Sequence, residues 1–241
     1  MPSQALVLGG TGLIGRAVVR ALAADGYQVR IHYHQERQLA EELRRDCRRS
    51  ELVGADLRDP IAIAKVTAGL ERLDLLVVAS GVYRSAPIGG ATIEDLDELW
   101  QLNLRAPLMA VRSALPALKA AAGQAILLTD IAAEQPWCDH AAYAATKAGL
   151  AHAVRCLALE LAPKVRVNAV APGLVEGATG TDASTRAALA ARIPLGRAAT
   201  ADEVAAAVLL LARSPGPITG QRLAVDGARR LGRRRGDEQG S

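Results

Sequence analysis

The sequence predicts an α/β fold in which helices cover both faces of a seven-stranded parallel sheet, as one doubly wound domain. Short apolar runs alternate with longer helical patterns along most of the 241 residues, which is typical of such sheets. Half of the residues are hydrophobic, enough for a large core. No repeat or linker rich in Pro, Gly or Ser divides the chain. We therefore expect one domain over residues 1–228 and a basic, flexible tail over residues 229–241.

Strands are predicted where a short apolar run stands between turn residues, and helices where a longer amphipathic pattern follows the run. In chain order, the strands are expected at Ala5–Leu8, Gln28–Tyr33, Glu51–Gly54, Leu73–Val78, Ala125–Thr129, Arg166–Val170 and Arg222–Val225. The helices are expected at Ile14–Ala24, Pro60–Leu70, Asp95–Ala121, Ala141–Leu161 and Asp202–Ala212. Right-handed crossovers between these units predict a ligand site beyond the carboxyl ends of the strands, where the winding reverses.

The charge distribution argues against a nucleic-acid partner. The formal net charge is +4, but seven of the 29 basic residues are arginines between Arg213 and Arg235. A solvated tail accounts for these charges. Nothing in the sequence pairs basic patches with the aromatic residues that single-strand binding requires. A small-molecule substrate is therefore the expected partner.

Cysteine usage and hydropathy predict a cytoplasmic protein without a membrane partner. Cys47, Cys138 and Cys156 fit no metal-ligand spacing, so we interpret them as free thiols in a reducing compartment. The chain runs almost directly into an apolar strand, without the features of a signal peptide. Its longest apolar stretches fall far below the ~20 residues of a membrane span.

A glycine cluster, Gly9-Gly10-Thr11-Gly12-Leu13-Ile14-Gly15, joins the first predicted strand to the first predicted helix. Glycines allow a tight turn and close approach of the backbone to a pyrophosphate, whose charge is met by free N–H groups at the helix N-terminus. The alternative is an ordinary strand-to-helix turn. The position of the cluster favours a dinucleotide site that includes Gly9, Thr11, Gly12, Leu13 and Ile14.

The second strand ends in His32, Tyr33 and His34, followed by Arg37, without the acidic residue that usually binds a ribose 2′-hydroxyl. An acid would repel a 2′-phosphate, whereas His and Arg would accept it, so NADP(H) is the expected cofactor. Gln35 and Glu36 would weaken that preference. The two histidines lack a third ligand at metal-binding spacing, so no metal is expected.

Two further segments are predicted to contact the cofactor. Asp56 and Leu57 follow the third strand, where a side chain can approach an adenine ring, although a turn or a helix cap explains Asp56 equally well. The small residues Ala79, Ser80 and Gly81 follow the fourth strand and allow the chain to pass close to a bound dinucleotide.

Tyr143 and Lys147 stand four residues apart in a segment that predicts a strong helix. Residues i and i+4 share one helix face, so a hydroxyl and an ammonium group there can act on the same small volume. We expect the positive charge of Lys147 to lower the pKa of Tyr143 and make it a proton donor. The pair alone is common on solvated helices, but it stands between Thr129-Asp130 and the strand that ends at Pro172 and Gly173.

Taken together, these motifs resemble the short-chain dehydrogenase/reductase family over about 95% of the chain. The resemblance rests on the glycine turn, Asn103, Tyr143, Lys147, Asn168, Pro172-Gly173, Pro194 to Arg197 and Val225 to Gly227. It implies a Rossmann-type fold, hydride transfer from a nicotinamide, Tyr143 as acid, Lys147 on the ribose and Asn103 in a proton relay. The nicotinamide end is expected near Pro172 and Gly173. The family commonly forms homotetramers.

Within that family the sequence is most similar to the pteridine and dihydromonapterin reductases. Asp130 stands thirteen residues before Tyr143, where most members have Ser, and the run His32 to His34 resembles theirs. The resemblance implies that Tyr83 stacks on a flat pterin. Trp137 and His140 could line the same pocket. In chemical terms, an ionised Asp130 can accept hydrogen bonds from Tyr143 or from a pterin amino group, whereas a Ser would be a neutral donor for a ketone oxygen.

Three functions stay open on the sequence. The first is an NADPH-dependent reductase of a dihydropterin or dihydrofolate, suggested by Asp130 and Tyr83. The second is a reductase of a carbonyl substrate, such as an oxoacyl thioester or a secondary-metabolite ketone. The third is a non-catalytic NADP-binding regulatory protein, suggested by Val78 and Ala79 where the family has two Asn residues.

Overall fold

The computed structural model describes residues 2–178 and 182–232, and these residues form the predicted α/β fold. Seven parallel strands make one sheet in the order β3-β2-β1-β4-β5-β6-β7. The winding direction reverses between β1 and β4, which are neighbours in the sheet but not in the chain. The fold class expected from the alternating apolar runs is confirmed.

All seven predicted strands are present, with ends shifted by one or two residues. They are β1 Gln4–Leu8, β2 Gln28–Tyr33, β3 Ser50–Gly54, β4 Leu75–Val78, β5 Gln124–Leu128, β6 Arg166–Pro172 and β7 Arg222–Val225. Central strands β4 and β5 are buried along their whole length, as continuous apolar runs covered on both faces require.

Eight α-helices lie among the described residues. They are α1 Leu13–Ala24, α2 Arg37–Asp46, α3 Pro60–Thr67, α4 Ile93–Trp100, α5 Ala106–Ala121, α6 Ala141–Leu161, α7 Ala183–Ala191 and α8 Ala201–Arg213. Helices α2 and α7 were not predicted. Only Ala40 and Leu43 of α2 are buried, so its sequence carries almost no apolar stripe. The predicted helix Asp95–Ala121 is divided into α4 and α5 by a π-helical turn over Gln101–Arg105.

Two hydrophobic cores lie on the two faces of the sheet. One contains Leu76 and Leu127 with side chains from α3, α5 and α6, and the other contains Val77 and Ile126 with side chains from α1 and α8. Side chains alternate between the two faces along each strand, so neighbouring residues supply different cores. Helices are thereby fixed against both faces, and the loops after the strands collect at one edge.

The C-terminal end of the described chain packs against this edge. Residues Arg229–Leu231, which the sequence assigned to a tail, form a 3₁₀ turn directly after β7. The remainder of that predicted tail, residues 233–241, lies outside the described residues. Within the described ranges, no helix is long and apolar enough to cross a membrane, and no group of three His, Cys, Asp or Glu could hold a metal ion.

Candidate active site

Tyr143 and Lys147 lie on the face of α6 that packs toward the carboxyl end of the sheet. Both side chains are buried, at 4% and 6% exposure. Lys147 Nζ donates a hydrogen bond to the carbonyl oxygen of Leu128, at the end of β5, over 3.2 Å. It lies 5.9 Å from the centroid of the Tyr143 ring. The helix thus places the two groups in one small volume at the strand ends, as the spacing predicted.

The hydroxyl of Tyr143 donates a hydrogen bond to Asp130 Oδ2 over 2.8 Å. Asp130 follows β5, and its other carboxylate oxygen accepts from the backbone N–H of Ala132, which orients the carboxyl group. Burial raises the pKa of Asp130, although Lys147 and the hydrogen bonds oppose this rise. The phenol and the carboxyl are thus joined by one buried hydrogen bond, along which a proton can move.

The prediction that Lys147 lowers the pKa of Tyr143 needs correction. Burial, followed by the charge of Asp130 and the hydrogen bond to it, holds the pKa of Tyr143 well above its usual range. Burial also lowers the pKa of Lys147, against the opposing pull of Asp130. The pKa argument from the sequence counted only the charge of Lys147, whereas the fold buries the ring and places Asp130 closer to the hydroxyl. Tyr143 is consequently fully protonated at neutral pH.

Asn103 lies in the π-helical turn between α4 and α5 and is completely buried. Its Oδ1 accepts from the backbone N–H of Val82 over 2.8 Å, and its Nδ2 donates to the Val82 carbonyl over 2.9 Å. A Cβ at Gly81 would lie 2.8 Å from Asn103 Oδ1 and 3.5 Å from Lys147 Nζ. Asn103 therefore ties the loop after β4 to the π-helical turn, and such turns are often found at functional sites.

The glycine turn brings β1 and β4 together at the point of reversal. Gly9 has a φ of +73°, and a Cβ there would lie 2.7 Å from the backbone nitrogen of Ser80. At Gly15 a Cβ would lie 2.0 Å from the Gly9 carbonyl oxygen, so only glycine fits. Gly12, which has no side chain, is the N-cap of α1, and the first N–H groups of this helix have no side-chain cap. These features fit a pyrophosphate-binding turn.

His32 has a different place from the one predicted. It is 2% exposed, its Nδ1 accepts from Gly9 N–H over 3.1 Å, and its Nε2 lies 3.0 Å from the Ala55 carbonyl. Burial lowers the pKa of His32 to about 4, so the ring is neutral. Both nitrogens are occupied, hence His32 cannot accept a phosphate. It supports the glycine turn from behind.

Near the end of β2, the side chains of Arg58 and His34 lie beside the carboxylate of Asp56. Arg58 binds both carboxylate oxygens of Asp56, and its backbone N–H donates to Oδ1, which forms a local turn. His34 Nε2 lies 3.7 Å from the same carboxylate. The hydrogen bond from Arg58 is the main reason why the pKa of Asp56 falls to about 2. The adjacent Tyr33 ring packs over Gly54. Asp56 is therefore ionised, and the guanidinium of Arg58 balances its negative charge.

The other predicted cofactor residues lie along the same edge. Thr11 and Leu57 are buried, Leu13 and Ile14 begin α1, and Ala79 and Ser80 follow β4. Ser80 Oγ is buried and has no hydrogen-bond partner among the described residues, as expected for a group that hydrogen-bonds a ligand. Pro172 ends β6, and the N–H of Gly173 donates to the Val225 carbonyl of β7.

Three of the predicted substrate residues form an aromatic cluster beside Tyr143. The Tyr83 ring meets Tyr143 edge to face at 5.1 Å between centroids and stacks on His140 at 5.2 Å. Trp137 meets His140 edge to face at 6.0 Å. Tyr83 is 46% exposed, so one side of its ring is open. The cluster is a partly open aromatic wall next to the phenol and carboxyl.

Sequence reasoning missed Arg229, which it had placed in the tail. The guanidinium carbon lies 5.2 Å from the centroid of Trp137, at the aromatic wall. Its pKa is lowered by burial and raised by the nearby charge of Asp130. A basic residue two places after Val225-Asp226-Gly227 was the available signal, but it was counted with the arginines that follow.

A dinucleotide fits the residues that meet at this edge. Gly9 approaches Ser80 too closely to leave room for a Cβ. The N-terminal N–H groups of α1 have no side-chain cap, and Ser80 Oγ has no hydrogen-bond partner among the described residues. Tyr143 and Lys147 on α6 lie at the end of the neighbouring strand β5. These features come from the loops after β1 and β4 and from α6, which the reversed parallel sheet brings to one edge.

A family model supports this assignment. The model described as Enoyl-(Acyl carrier protein) reductase matches residues 11–228, which include residues 11–15 of the glycine turn, Asn103, Asp130, Tyr143 and Lys147. The chain belongs to the short-chain dehydrogenase/reductase family. Members typically use NAD(P)(H), and the chain is an oxidoreductase of this type rather than the non-catalytic protein left open above.

Curated relatives and solved structures agree with the family. L-xylulose reductase of Mus musculus is 33% identical, over 93% of this chain and 95% of the relative. The Granaticin polyketide synthase putative ketoacyl reductase 2 of Streptomyces violaceoruber is 33% identical, over 94% and 96% of the two chains. A short-chain dehydrogenase/reductase from Serratia marcescens superposes with a TM-score of 0.88 at 27% identity, covering 93% of this chain and 96% of that one.

Proposed function

We propose that this oxidoreductase uses NADPH to reduce a flat, N–H-bearing substrate of the dihydropterin or dihydrofolate type. The contact between Tyr143 and Asp130 Oδ2, at 2.8 Å, carries the proposal. An ionised carboxyl at this point accepts hydrogen bonds from ring N–H and amino groups. It would repel the oxyanion that develops when a ketone is reduced. The pteridine reductase branch suggested by the sequence has the same acid.

Reduction of a C=N bond needs a hydride on carbon and a proton on nitrogen. The nicotinamide supplies the hydride when the cofactor is bound. Tyr143 holds the proton, because its raised pKa keeps the hydroxyl protonated at neutral pH. Asp130 accepts the hydroxyl hydrogen bond and orients it, and Lys147 provides the positive charge that compensates the phenolate left after transfer. Asn103 holds the adjoining loop in place.

The aromatic wall supports a planar substrate. Tyr83 lies edge to face against the catalytic Tyr143, and one side of its ring is exposed. A flat conjugated ring can stack on that side while its N–H groups reach Asp130. His140 and Trp137 extend the wall behind Tyr83 and keep its ring in this orientation.

The end of β2 supports a preference for NADPH over NADH. His34 and Arg37 are exposed there. The nearby carboxylate of Asp56 is already neutralised by Arg58. Cations favour a ribose 2′-phosphate, whereas a free carboxylate would favour the 2′-hydroxyl. We keep His34 as a cofactor-binding residue and assign His32 to the support of the turn.

A carbonyl substrate is the second candidate, and the relatives favour it. One relative is named for reduction of L-xylulose and another is a putative ketoacyl reductase. Burial also raises the pKa of Asp130, and a protonated carboxyl can donate a hydrogen bond to a ketone oxygen. The two candidates thus differ in the protonation state that Asp130 has in the working enzyme.

The deciding experiment follows NADPH absorbance with dihydrobiopterin, dihydromonapterin, dihydrofolate and acetoacetyl-coenzyme A. The wild-type enzyme is expected to turn over a dihydropterin or dihydrofolate. Asp130→Ser should lower kcat/KM for that substrate by at least about 100-fold, since it removes a charge-assisted contact in the transition state. Asp97→Ser, on the exposed side of α4, is the matched control. Turnover of the thioester alone would exclude the dihydropterin proposal.

Location and assembly remain proposals. All three cysteines are free thiols, Cys47 buried and the other two exposed, which supports the cytoplasm as a reducing compartment. We keep the homotetramer that the family resemblance implies, and light scattering during gel filtration measures it directly.

A further inference from the structure

The side chain of Arg229 has no part in the reaction proposed above, yet it lies in the pocket. Its guanidinium carbon is 5.2 Å from the centroid of Trp137. In the portion of the chain that the structure describes, its nitrogens make neither a hydrogen bond nor an ion pair. Its neighbour Arg230 instead faces Glu134, at 4.0 Å. A half-buried cation without an anion beside a catalytic acid calls for a ligand.

The backbone around Arg229 is fixed. Asp226 accepts hydrogen bonds from the N–H groups of Ala228 and Arg230, over 3.0 and 2.9 Å. The Arg229 carbonyl accepts from Gln135 Nε2 over 3.4 Å. Ala228 has a φ of +69°, in the left-handed region that a non-glycine residue adopts at a cost. The turn therefore presents the Arg229 side chain in one place, with Trp137 under it.

Arg229 and Asp130 lie within electrostatic reach of one another but are not paired. The charge of Asp130 opposes the lowering of the Arg229 pKa by burial. Each Asp130 oxygen accepts one hydrogen bond, from Tyr143 or from the N–H of Ala132, and keeps a second lone pair for a substrate N–H. The pocket thus has an acceptor on one side and an unused planar donor on the other. A second polar atom in the wall, His140 Nε2, is buried and also lacks a partner among the described residues.

The planar guanidinium of Arg229, 5.2 Å from the centroid of the Trp137 ring, offers parallel N–H donors, which suit a planar oxygen acceptor better than a spherical ion. We propose that Arg229 is a substrate-binding residue that recognises an oxygen acceptor of the substrate, namely the ring carbonyl of a dihydropterin. The pocket then identifies its substrate from two sides, since Asp130 accepts from ring N–H groups while Arg229 donates to the carbonyl. This inference rests on the proposed function and names the part of the substrate that it uses.

The test compares two ligands that differ at this acceptor, where a 4-amino group replaces the 4-oxo group and N3 loses its proton; the effect of each variant is therefore compared between the two ligands. Binding of pterin, which has a 4-oxo group, and of 2,4-diaminopteridine is measured by calorimetry on enzyme saturated with NADP⁺. Arg229→Gln should weaken pterin binding by at least about 10-fold and change binding of the diamino ligand by less than about 3-fold. Arg229→Lys should restore only part of the loss, because an ammonium lacks the planar fork.

Arg230→Gln is the matched control, since it removes the neighbouring guanidinium of the same turn and should change neither affinity. The affinity for NADP⁺, measured for every variant, reports whether the site is still folded. Equal losses for both ligands would mean that Arg229 only supports the wall, and no loss for either would mean that it is idle. Both results overturn the inference.

Failure of the proposed function is a separate result, visible in the wild type. If the wild-type enzyme reduces acetoacetate but neither reduces nor binds any pterin, the proposed substrate class is wrong. Arg229 is then judged on acetoacetate and methyl acetoacetate. A 10-fold higher KM of Arg229→Gln for the carboxylate alone assigns Arg229 to an oxygen acceptor on a carbonyl substrate, and an equal effect on both overturns the inference. An enzyme that acts on neither pair overturns both proposals.

Discussion

At the scale of single residues, burial and neighbouring charges set the protonation states of the site. Tyr143 lies against Asp130 and away from water, so its pKa rises and the hydroxyl keeps its proton. Lys147 compensates charge from the other side, although burial lowers its own pKa. The enzyme therefore has a fully protonated acid at neutral pH rather than a phenolate. In the proposed reduction of a C=N bond, the proton leaves when hydride transfer makes the substrate nitrogen a stronger base.

Tyr143→Phe is expected to lower kcat by at least about 100-fold, because loss of a positioned general acid typically costs that much or more. The affinity for NADPH should change by less than about 2-fold, since the Tyr143 hydroxyl bonds Asp130 rather than the glycine turn. Tyr27→Phe, which removes one hydroxyl far from the site, is the control. Stopped-flow absorbance and fluorescence titration give the two values, and a kcat within 10-fold of the wild type would contradict the assignment.

The lowered pKa of His32 predicts that the protein loses stability in mild acid. The folded pKa of His32 is about 4, below the usual value of 6.5 for a solvated histidine, so the unfolded chain binds the proton more readily. This stability is fully present above pH 6.5 and is lost as the pH falls from 6.5 toward 4. Between pH 7 and pH 5 the expected loss in the free energy of unfolding is about 2 kcal/mol.

Urea unfolding of the wild type and of His32→Gln at both pH values measures this loss. Gln cannot titrate, so the difference between the two proteins should shrink by about 2 kcal/mol on acidification. A constant difference would show that His32 does not carry the effect.

At the scale of elements, two irregular segments bring the loops together. The glycine turn lets the backbone of β1 approach the end of β4, because Gly9 lies directly against Ser80. The π-helical turn places Asn103 against Val82, which lies on the loop after β4. Asn103 contacts this loop from the side of α5. Regular helices and strands supply the scaffold, and these two departures from regularity shape the cofactor edge.

Gly15→Ala tests the turn against helix propensity. Alanine in the first turn of α1 should stabilise a free helix by about 1 kcal/mol. Its Cβ, however, would lie 2.0 Å from the Gly9 carbonyl oxygen, a backbone atom that cannot move without opening the turn. We expect the clash to dominate, with a lower Tm and an NADPH Kd raised by at least about 10-fold.

The matched control is Gly216→Ala, in a loop where a new Cβ meets nothing within 4 Å. This variant should keep the wild-type Kd for NADPH and a Tm within about 1 °C, since exposed substitutions rarely change stability by more than about 0.5 kcal/mol. If both variants behave alike, close approach at Gly15 has no role in binding.

At the scale of the whole molecule, the cofactor edge joins parts of the chain that are far apart in sequence. It uses the ends of β1, β2, β4, β5 and β6, which lie on both sides of the reversal in the sheet. A ligand that binds all of them is bound only by the folded state, so its binding free energy adds to the free energy of unfolding. Cofactor preference can therefore be measured through stability.

NADPH at about 100 times its Kd should stabilise the protein by about 2.7 kcal/mol, which corresponds to a Tm higher by about 5–10 °C for a chain of this size. NADH at the same concentration is expected to give less than half of that shift, because it lacks the phosphate that His34 and Arg37 would contact. Differential scanning fluorimetry provides the measurement. An equal or larger shift with NADH would exclude the NADP preference.

Several structural details were beyond sequence reasoning because they depend on neighbours in space. Helix α2 has an apolar face of only Leu39, Ala40 and Leu43 in a highly charged segment, which is too short to mark a helix in the sequence, and its docking beside β3 buries Ala40 and Leu43. The polar run after β2 predicted cofactor contacts, but it could not show that His32 points inward, against the glycine turn. The sequence allowed a hydrogen bond between Asp130 and Tyr143, and the fold shows that this bond is made.

The sequence by itself determined the parallel sheet, the glycine turn and the Tyr143–Lys147 pair, because each follows from local spacing: alternation of apolar runs, loss of Cβ atoms and the helical period. Only the tertiary structure decided the charge balance of the site. Burial and the approach of Asp130 raise the pKa of Tyr143, and the turn after β7 returns Arg229 to the pocket. Desolvation and long-range contacts depend on what surrounds a residue, which its position in the chain does not specify.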